Sequence, residues 1–214
     1  MIDFINGDCM DYLKKYPDKH FDLAIVDPPY GIGIDGQDKK VCKNPKHNRK
    51  YHPKKKWDQA IPSQEYFDEL VRVSKNQIIF GGNYFVKRLH KGSKGWIVWD
   101  KTQRGLTMSD CEIAYSSFDK PTRIYSLNRI ALWQEGTIHP TQKPIALYKW
   151  ILKNYANDGD LILDTHVGSG SSLIACYDYG FNAVGFEIDK DYYKKAKDRL
   201  EQHQKQVSLK ELEK

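Results

Sequence analysis

Short apolar runs alternate along this chain with stretches whose apolar residues recur at helical spacing. Phe21–Val26, Gln77–Phe80, Gly95–Trp99, Leu161–Asp164 and Ala183–Glu187 are short and largely apolar, the pattern of strands buried on both faces. Asp3–Asn6 reads as the first strand, and Asp110–Phe118 and Arg123–Leu127 as two further extended segments of antiparallel character. Helical patterns fall between them. Ser63–Ser74 opens on an N-cap serine and carries Phe67, Leu70 and Val71 on one face. Pro144–Tyr155 begins with proline and sets Tyr148, Ile151, Leu152 and Tyr155 in a stripe. Ser171–Tyr179 stops at Gly180, a C-terminal cap, and a charged helix runs from Asp189 into a solvated tail. Strands alternating with helices predict an α/β fold with a mostly parallel sheet.

Two segments break the alternation: 31–62, rich in Gly, Lys, Asn, Pro and His, and the shorter irregular stretch 119–140. Long connections inside a compact domain are usually functional or disordered. The 214 residues suit a single domain, 1–214, carrying these two decorations. No apolar run approaches the ~20 residues that span a bilayer. Met1–Asn6 lacks a basic segment followed by an apolar one, so a cytoplasmic protein without membrane contact is expected. Cys9, Cys42, Cys111 and Cys176 are scattered and read as reduced thiols. Cys42, His47 and His52 fall short of a zinc ligand set, and no metal is expected.

Charge changes the picture at one place. The net charge is +6, yet residues 39–56 alone hold nine Lys or Arg and no acid, which leaves −3 for everything else. A basic segment on a mildly acidic body is an electrostatic footprint for phosphate, or else a solvated loop.

Two places carry candidate chemistry. Asp27-Pro28-Pro29-Tyr30 follows a buried strand, at the end of the sheet where open α/β folds place their sites. Two prolines stiffen the backbone and remove two N–H donors. What remains is a row of acceptors, the Asp27 carboxylate and the Pro28 carbonyl, suited to a ligand offering two N–H groups. Tyr30 adds a flat face for stacking. The second place is Asp164-Thr165-His166-Val167-Gly168-Ser169-Gly170-Ser171-Ser172, which also follows a strand and opens a helix. Glycines let a backbone approach a ligand, and N–H groups at the helix start face it. Glu187, seventeen residues after Gly170 at the end of the next strand, can hold ribose hydroxyls. A dinucleotide fingerprint wants a further glycine where Leu173 stands, so a nicotinamide enzyme is disfavoured and a nucleoside cofactor without pyrophosphate fits better.

With these motifs in this order, the sequence resembles the amino-group DNA methyltransferases with a DPPY motif, in the motif order of their β class. The resemblance covers nearly the whole chain. It implies a Rossmann-like S-adenosylmethionine-dependent fold in permuted order: a mostly parallel seven-stranded sheet with an antiparallel strand. It implies catalysis at Asp27, Pro28, Pro29 and Tyr30, and S-adenosyl-L-methionine as cofactor. His139-Pro140-Thr141-Gln142-Lys143-Pro144 is similar to the segment lining the methionine end, and Asn6-Gly7-Asp8 to the turn near the adenine. The cofactor-binding set is then Asp8, Cys9, His139, Thr141, Lys143, Asp164, His166, Gly168, Ser169, Gly170, Ser171 and Glu187. The sequence departs from the family's Asp-Pro-Phe at Thr165-His166, and has Ser171-Ser172 for a Thr pair. Residues 119–140 take the place of a target-recognition region. Lys39, Lys40, Lys43, Arg49, Lys50, Arg104 and Arg123 become DNA contacts, with Arg129 a further candidate. The implied activity is base-flipping methylation of adenine N6 at specific sites in double-stranded DNA, as in restriction–modification, with a homodimer as a state of the class. Cytosine-N4 methylation, an RNA or protein substrate, and a non-catalytic DNA-binding module are the alternatives.

Overall fold

The computed structural model describes residues 1–36, 38, 51–105, 109–128 and 135–212. Eight strands form one sheet: β1 (Ile2–Asn6), β2 (Phe21–Val26), β3 (Ser74–Phe80), β4 (Trp96–Asp100), β5 (Cys111–Ser116), β6 (Arg123–Ser126), β7 (Leu161–Asp164) and β8 (Asn182–Glu187). Among the described residues five helices accompany them: α1 (Cys9–Leu13), α2 (Gln64–Val73), α3 (Ile145–Tyr155), α4 (Ser171–Asp178) and α5 (Lys190–Leu212). The strand order is β1-β8-β7-β2-β3-β5-β4-β6.

The sheet is mostly parallel, as the apolar runs require, and β5 is the strand antiparallel to both its neighbours. Two expectations are corrected. The sheet has eight strands rather than seven, because Arg123–Ser126 adds itself to the edge beside β4. That strand also runs parallel to β4, with Ile97 opposite Arg123 and Asp100 opposite Ser126, rather than antiparallel. Its exposed residues gave its direction no signature, since hydrophobic period reports burial and not partner orientation.

The sheet divides the core in two. Leu23 and Ile25 of β2 pack with Leu147 and Ile151 of α3 and Ile174 of α4 on one face. Ala24 and Val26 pack with Phe67 and Leu70 of α2 on the other. Adjacent residues on a strand point to opposite faces, so a strand covered on both sides has to be apolar throughout. The Ser63 hydroxyl caps α2, and Gly180, in the left-handed region at φ 74°, ends α4 as its glycine predicts. No helix among the described residues is long and apolar enough to cross a membrane.

Candidate active site

β2 and β7 are parallel neighbours at the centre of the sheet, and their chains leave in opposite directions. From β7 the chain passes through α4 to β8 on one side; from β2 it passes through α2 to β3 on the other. The carboxyl ends of β2 and β7 therefore flank a topological switch point, where such sheets open a crevice. Asp27 follows the last residue of β2, and Asp164 is the last of β7.

A cleft of about 650 Å³ lies there. Asp27 and Pro29 form one wall, and His166–Ser169 and Glu187–Asp189 another. His139, Thr141, Gln142, Lys143, Tyr148, Trp57 and Tyr192 complete it.

Asp27 is held in a charged network. Lys143, only 3% exposed, puts its ammonium on Asp27 Oδ2, and Tyr30 donates its hydroxyl to Asp27 Oδ1 at 2.5 Å. The same ammonium lies 3.3 Å from Glu112, whose other oxygen accepts from Lys101 at 2.9 Å. Two carboxylates thus share two ammonium groups. Burial pushes the Asp27 carboxyl above its ordinary range, Lys143 opposes the rise, and Glu112 adds to it. Glu112 is also penalised by burial, but Lys143 and Lys101 together bring it down to about 2. Burial works against the charge on Lys143, yet its two carboxylate partners hold its pKa above normal. In this coupled group we assign the easier protonation to Asp27, because Glu112 has two cations and Asp27 one.

Tyr30 is packed more tightly than a free stacking platform would be. Its ring stacks on Tyr84 at 5.0 Å and 16°. A Cβ added to Gly81 would come within 2.3 Å of the ring, so the end of β3 lies directly against it.

The opposite wall is built by the glycine turn. Gly168 has φ 55°, a region that favours glycine, and its N–H donates to Glu187 Oε2 at 2.8 Å. Glu187 Oε1 accepts from the Asp189 N–H at 2.9 Å, leaving further lone pairs on both oxygens. Asp164 does not reach the cleft. Its carboxylate accepts from the His166 N–H at 3.0 Å and from the Ser172 hydroxyl, bracing the turn from beneath. Burial raises Asp164 to about 7. Thr165 and His166 form a chain with Tyr66: the Thr165 hydroxyl lies 2.7 Å from Tyr66 Oη and 2.8 Å from His166 Nδ1. A Pro-Phe pair has no hydroxyl to offer there. Burial lowers His166 to about 4, so it presents a neutral flat ring to the cleft at neutral pH.

Of the residues singled out in the sequence, Asp27, Pro29, His139, Thr141, Lys143, His166, Gly168, Ser169 and Glu187 line one cleft. The others lie around it. Pro28, next to Asp27 in the chain, is buried. Asp8 caps α1 by accepting from the Met10 N–H at 2.9 Å. Cys9 faces the core, its thiol pushed up to about 12 by burial. Gly170 is the N-cap of α4, and Ser171 bonds Ser169 and Arg199. Arg104 grips Asp100 through both carboxylate oxygens at 2.8 and 3.0 Å while remaining 61% exposed. Arg123 is exposed at the start of β6. Lys39, Lys40, Lys43, Arg49, Lys50 and Arg129 lie outside the described residues. Sequence reasoning missed Glu112, Lys101, Trp57, Tyr148 and Tyr192. A lone acid inside the strand Cys111–Ser116 was the one available signal for Glu112.

The residues fit a nucleoside sulfonium. Glu187 offers acceptors for hydroxyls, Gly168 lets the backbone come close, and two buried donors at the same wall, Trp57 Nε1 and Tyr192 Oη, have no partner of their own among the described residues. A Rossmann-like α/β fold with a carboxylate and a glycine turn facing each other across the switch point fits the methyltransferase class. Comparison narrows this. Residues 91–198 match the N6_N4_Mtase model, described as DNA methylase, and the chain belongs to that family. It is 27% identical to the type II methyltransferase M.HpaI of Haemophilus parainfluenzae, over 88% of this chain and 71% of that protein. M1.HpyAVI in complex with SAM superposes with a TM-score of 0.61 at 20% identity, covering 94% and 99% of the two chains. The cytosine-N4-specific PvuII DNA methyltransferase superposes at 0.60 and 12% identity, covering 92% and 86%.

Proposed function

We propose that this protein transfers a methyl group from S-adenosyl-L-methionine to the exocyclic N6 of adenine in double-stranded DNA, at a specific sequence and with the base flipped out of the helix. The reading is carried by Asp27, an acceptor fixed across one cleft from Gly168 and Glu187.

Glu187 would hold the ribose hydroxyls, and the turn through Gly168 and Ser169 would pass beneath the cofactor. The bound cofactor supplies an electrophilic methyl on a sulfonium. An exocyclic amino nitrogen is a weak nucleophile because its lone pair is delocalised into the ring. Asp27 and the Pro28 carbonyl accept its two N–H groups, which localises the lone pair and stabilises the positive charge that develops on nitrogen. With the methyl supplied by the cofactor and its sulfur as the leaving atom, Asp27 would take the proton that the amino nitrogen gives up. Each Asp27 oxygen already has one protein donor, and each retains a lone pair for substrate. Tyr30 holds the carboxylate in place; its ring can take the flipped base where Tyr84 and Gly81 leave it uncovered. The segment 39–56 contacts DNA phosphate. Adenine is favoured because the motif begins with Asp; a Ser there leans toward cytosine-N4 in the family it resembles.

Long-read sequencing of DNA from a methylation-free host expressing the protein tests this, because it reports the modified base and its context together. N6-methyladenine at one sequence context is expected, absent with Asp27→Ala. Purified Asp27→Ala should still bind S-adenosylmethionine while losing methyl transfer by about a thousandfold or more. N4-methylcytosine would replace the adenine reading, and near-wild-type transfer by the variant would sink the role of Asp27.

A further inference from the structure

We infer that Trp57 and Tyr192 bind the cofactor, through Trp57 Nε1–H and Tyr192 Oη–H, and that Lys55 positions both. This rests on the methyl-transfer reading above and adds residues that the cofactor motifs do not contain.

Residues 51–58 form the return of the insertion that follows the catalytic motif. The end of this segment is fixed to the exit of that motif: Asp58, 2% exposed, accepts from the Gly31 N–H at 2.7 Å and the Ile34 N–H at 2.8 Å, and its carbonyl accepts from Gly33 at 3.0 Å. Three residues earlier, Lys55 crosses to the start of α5. Its ammonium donates to both oxygens of Asp189, at 2.7 and 2.8 Å, and to Asp191 at 2.6 Å. Asp189 in turn accepts from the Asp191 and Tyr192 N–H groups at 2.9 and 3.0 Å, fixing the turn that carries Tyr192. The Lys55 ammonium also lies 4.9 Å from the centre of the Tyr192 ring.

Trp57 stands between these two anchors. Its ring lies 5.2 Å from His139, and His139 meets Tyr192 edge-on at 4.3 Å, so three rings make one wall of the cleft. Trp57 Nε1 and Tyr192 Oη are both buried, and neither has a hydrogen-bond partner among the described residues. A buried donor without an acceptor is costly, and native structures leave few. Two on one wall mark where a ligand supplies the acceptors. Glu187 lies two residues before Asp189 and contributes only acceptors. Ribose hydroxyls both donate and accept, and a wall that pairs a carboxylate with two donors matches them.

The test is calorimetry on the full chain without DNA, titrating S-adenosylmethionine and S-adenosylhomocysteine, alongside thermal melting of the free protein. Tyr192→Phe should weaken both ligands about threefold to tenfold. Its free-state melting temperature should stay equal or rise, because the lost hydroxyl has no partner among the described residues. Trp57→Phe should weaken binding by a similar factor. Lys55→Gln should weaken it too, although Lys55 does not line the cleft. Wild-type affinity in both Tyr192→Phe and Trp57→Phe would overturn the inference, as would weakened binding that simply tracks a lowered melting temperature. A wild-type chain that binds neither ligand would overturn the methyl-transfer reading itself, and this inference with it.

Discussion

At the residue scale the site is defined by how two carboxylates share Lys143. In the proposed mechanism Asp27 acts as an ionised carboxylate, and burial together with Glu112 raises its pKa. Methyl transfer should therefore fall as pH drops, and do so above the usual aspartate range. Glu112→Gln removes the negative neighbour and leaves Lys143 to Asp27 alone; both changes favour the carboxylate. The acid limb of the single-turnover rate should move to lower pH in that variant, with the plateau rate changed less than tenfold. A limb that stays put would separate Glu112 from Asp27. The sequence exposed Asp27 and Lys143 through their motifs but not their contact, because 116 positions separate them and neither motif carries a mark of the other. Trp57 was illegible for a related reason: an aromatic in a polar, basic stretch does not announce what its ring will meet.

At the scale of elements, the strand ends that flank the cleft were the most legible part of the chain. The bounds of Phe21–Val26 and Leu161–Asp164 are legible to the residue, since strands buried on both faces are largely apolar and each run gives way at once to a polar turn. The five-residue α1 was missed because one turn and a half is too short for a periodic signal. The end of β3 makes its own demand. Gly81 has φ 71°, and any Cβ there would strike the Tyr30 ring. Gly81→Ala should cost about 1–3 kcal/mol in chemical denaturation, from the backbone conformation and the displaced ring. It should lower methyl transfer while S-adenosylmethionine affinity is kept, because Tyr30 braces Asp27 and not the cofactor wall. Equal loss of both activities would mean that β3 supports the whole cleft.

At the scale of the molecule, charge and topology are separate matters. The body outside residues 39–56 is acidic by three charges, so under the proposed function that segment is the part of the chain expected to meet DNA phosphate. Affinity for duplex DNA should fall steeply and linearly on a log–log plot against salt. Replacing Lys39, Lys40 and Lys43 with Gln should make the slope shallower by up to about 2–3 if all three neutralise phosphates. An unchanged slope would place the phosphate contacts elsewhere. The α/β class and parallel sheet could be read from strand content, whereas the eighth strand and its direction could not, because an exposed edge strand has no core to impose a pattern on it.

The pairing of β1 with β8 has a consequence for the way the chain is made. Ile2 lies opposite Ala183 and Asn6 opposite Glu187, so among the described residues the strand that comes first in chain order pairs with the one that comes last. Strands β2 to β5 can pair among themselves much earlier. The half of the sheet carrying Asp27 can therefore assemble while the half carrying Glu187 still waits for its final strand, and during that interval β1 is an unpaired edge open to wrong partners.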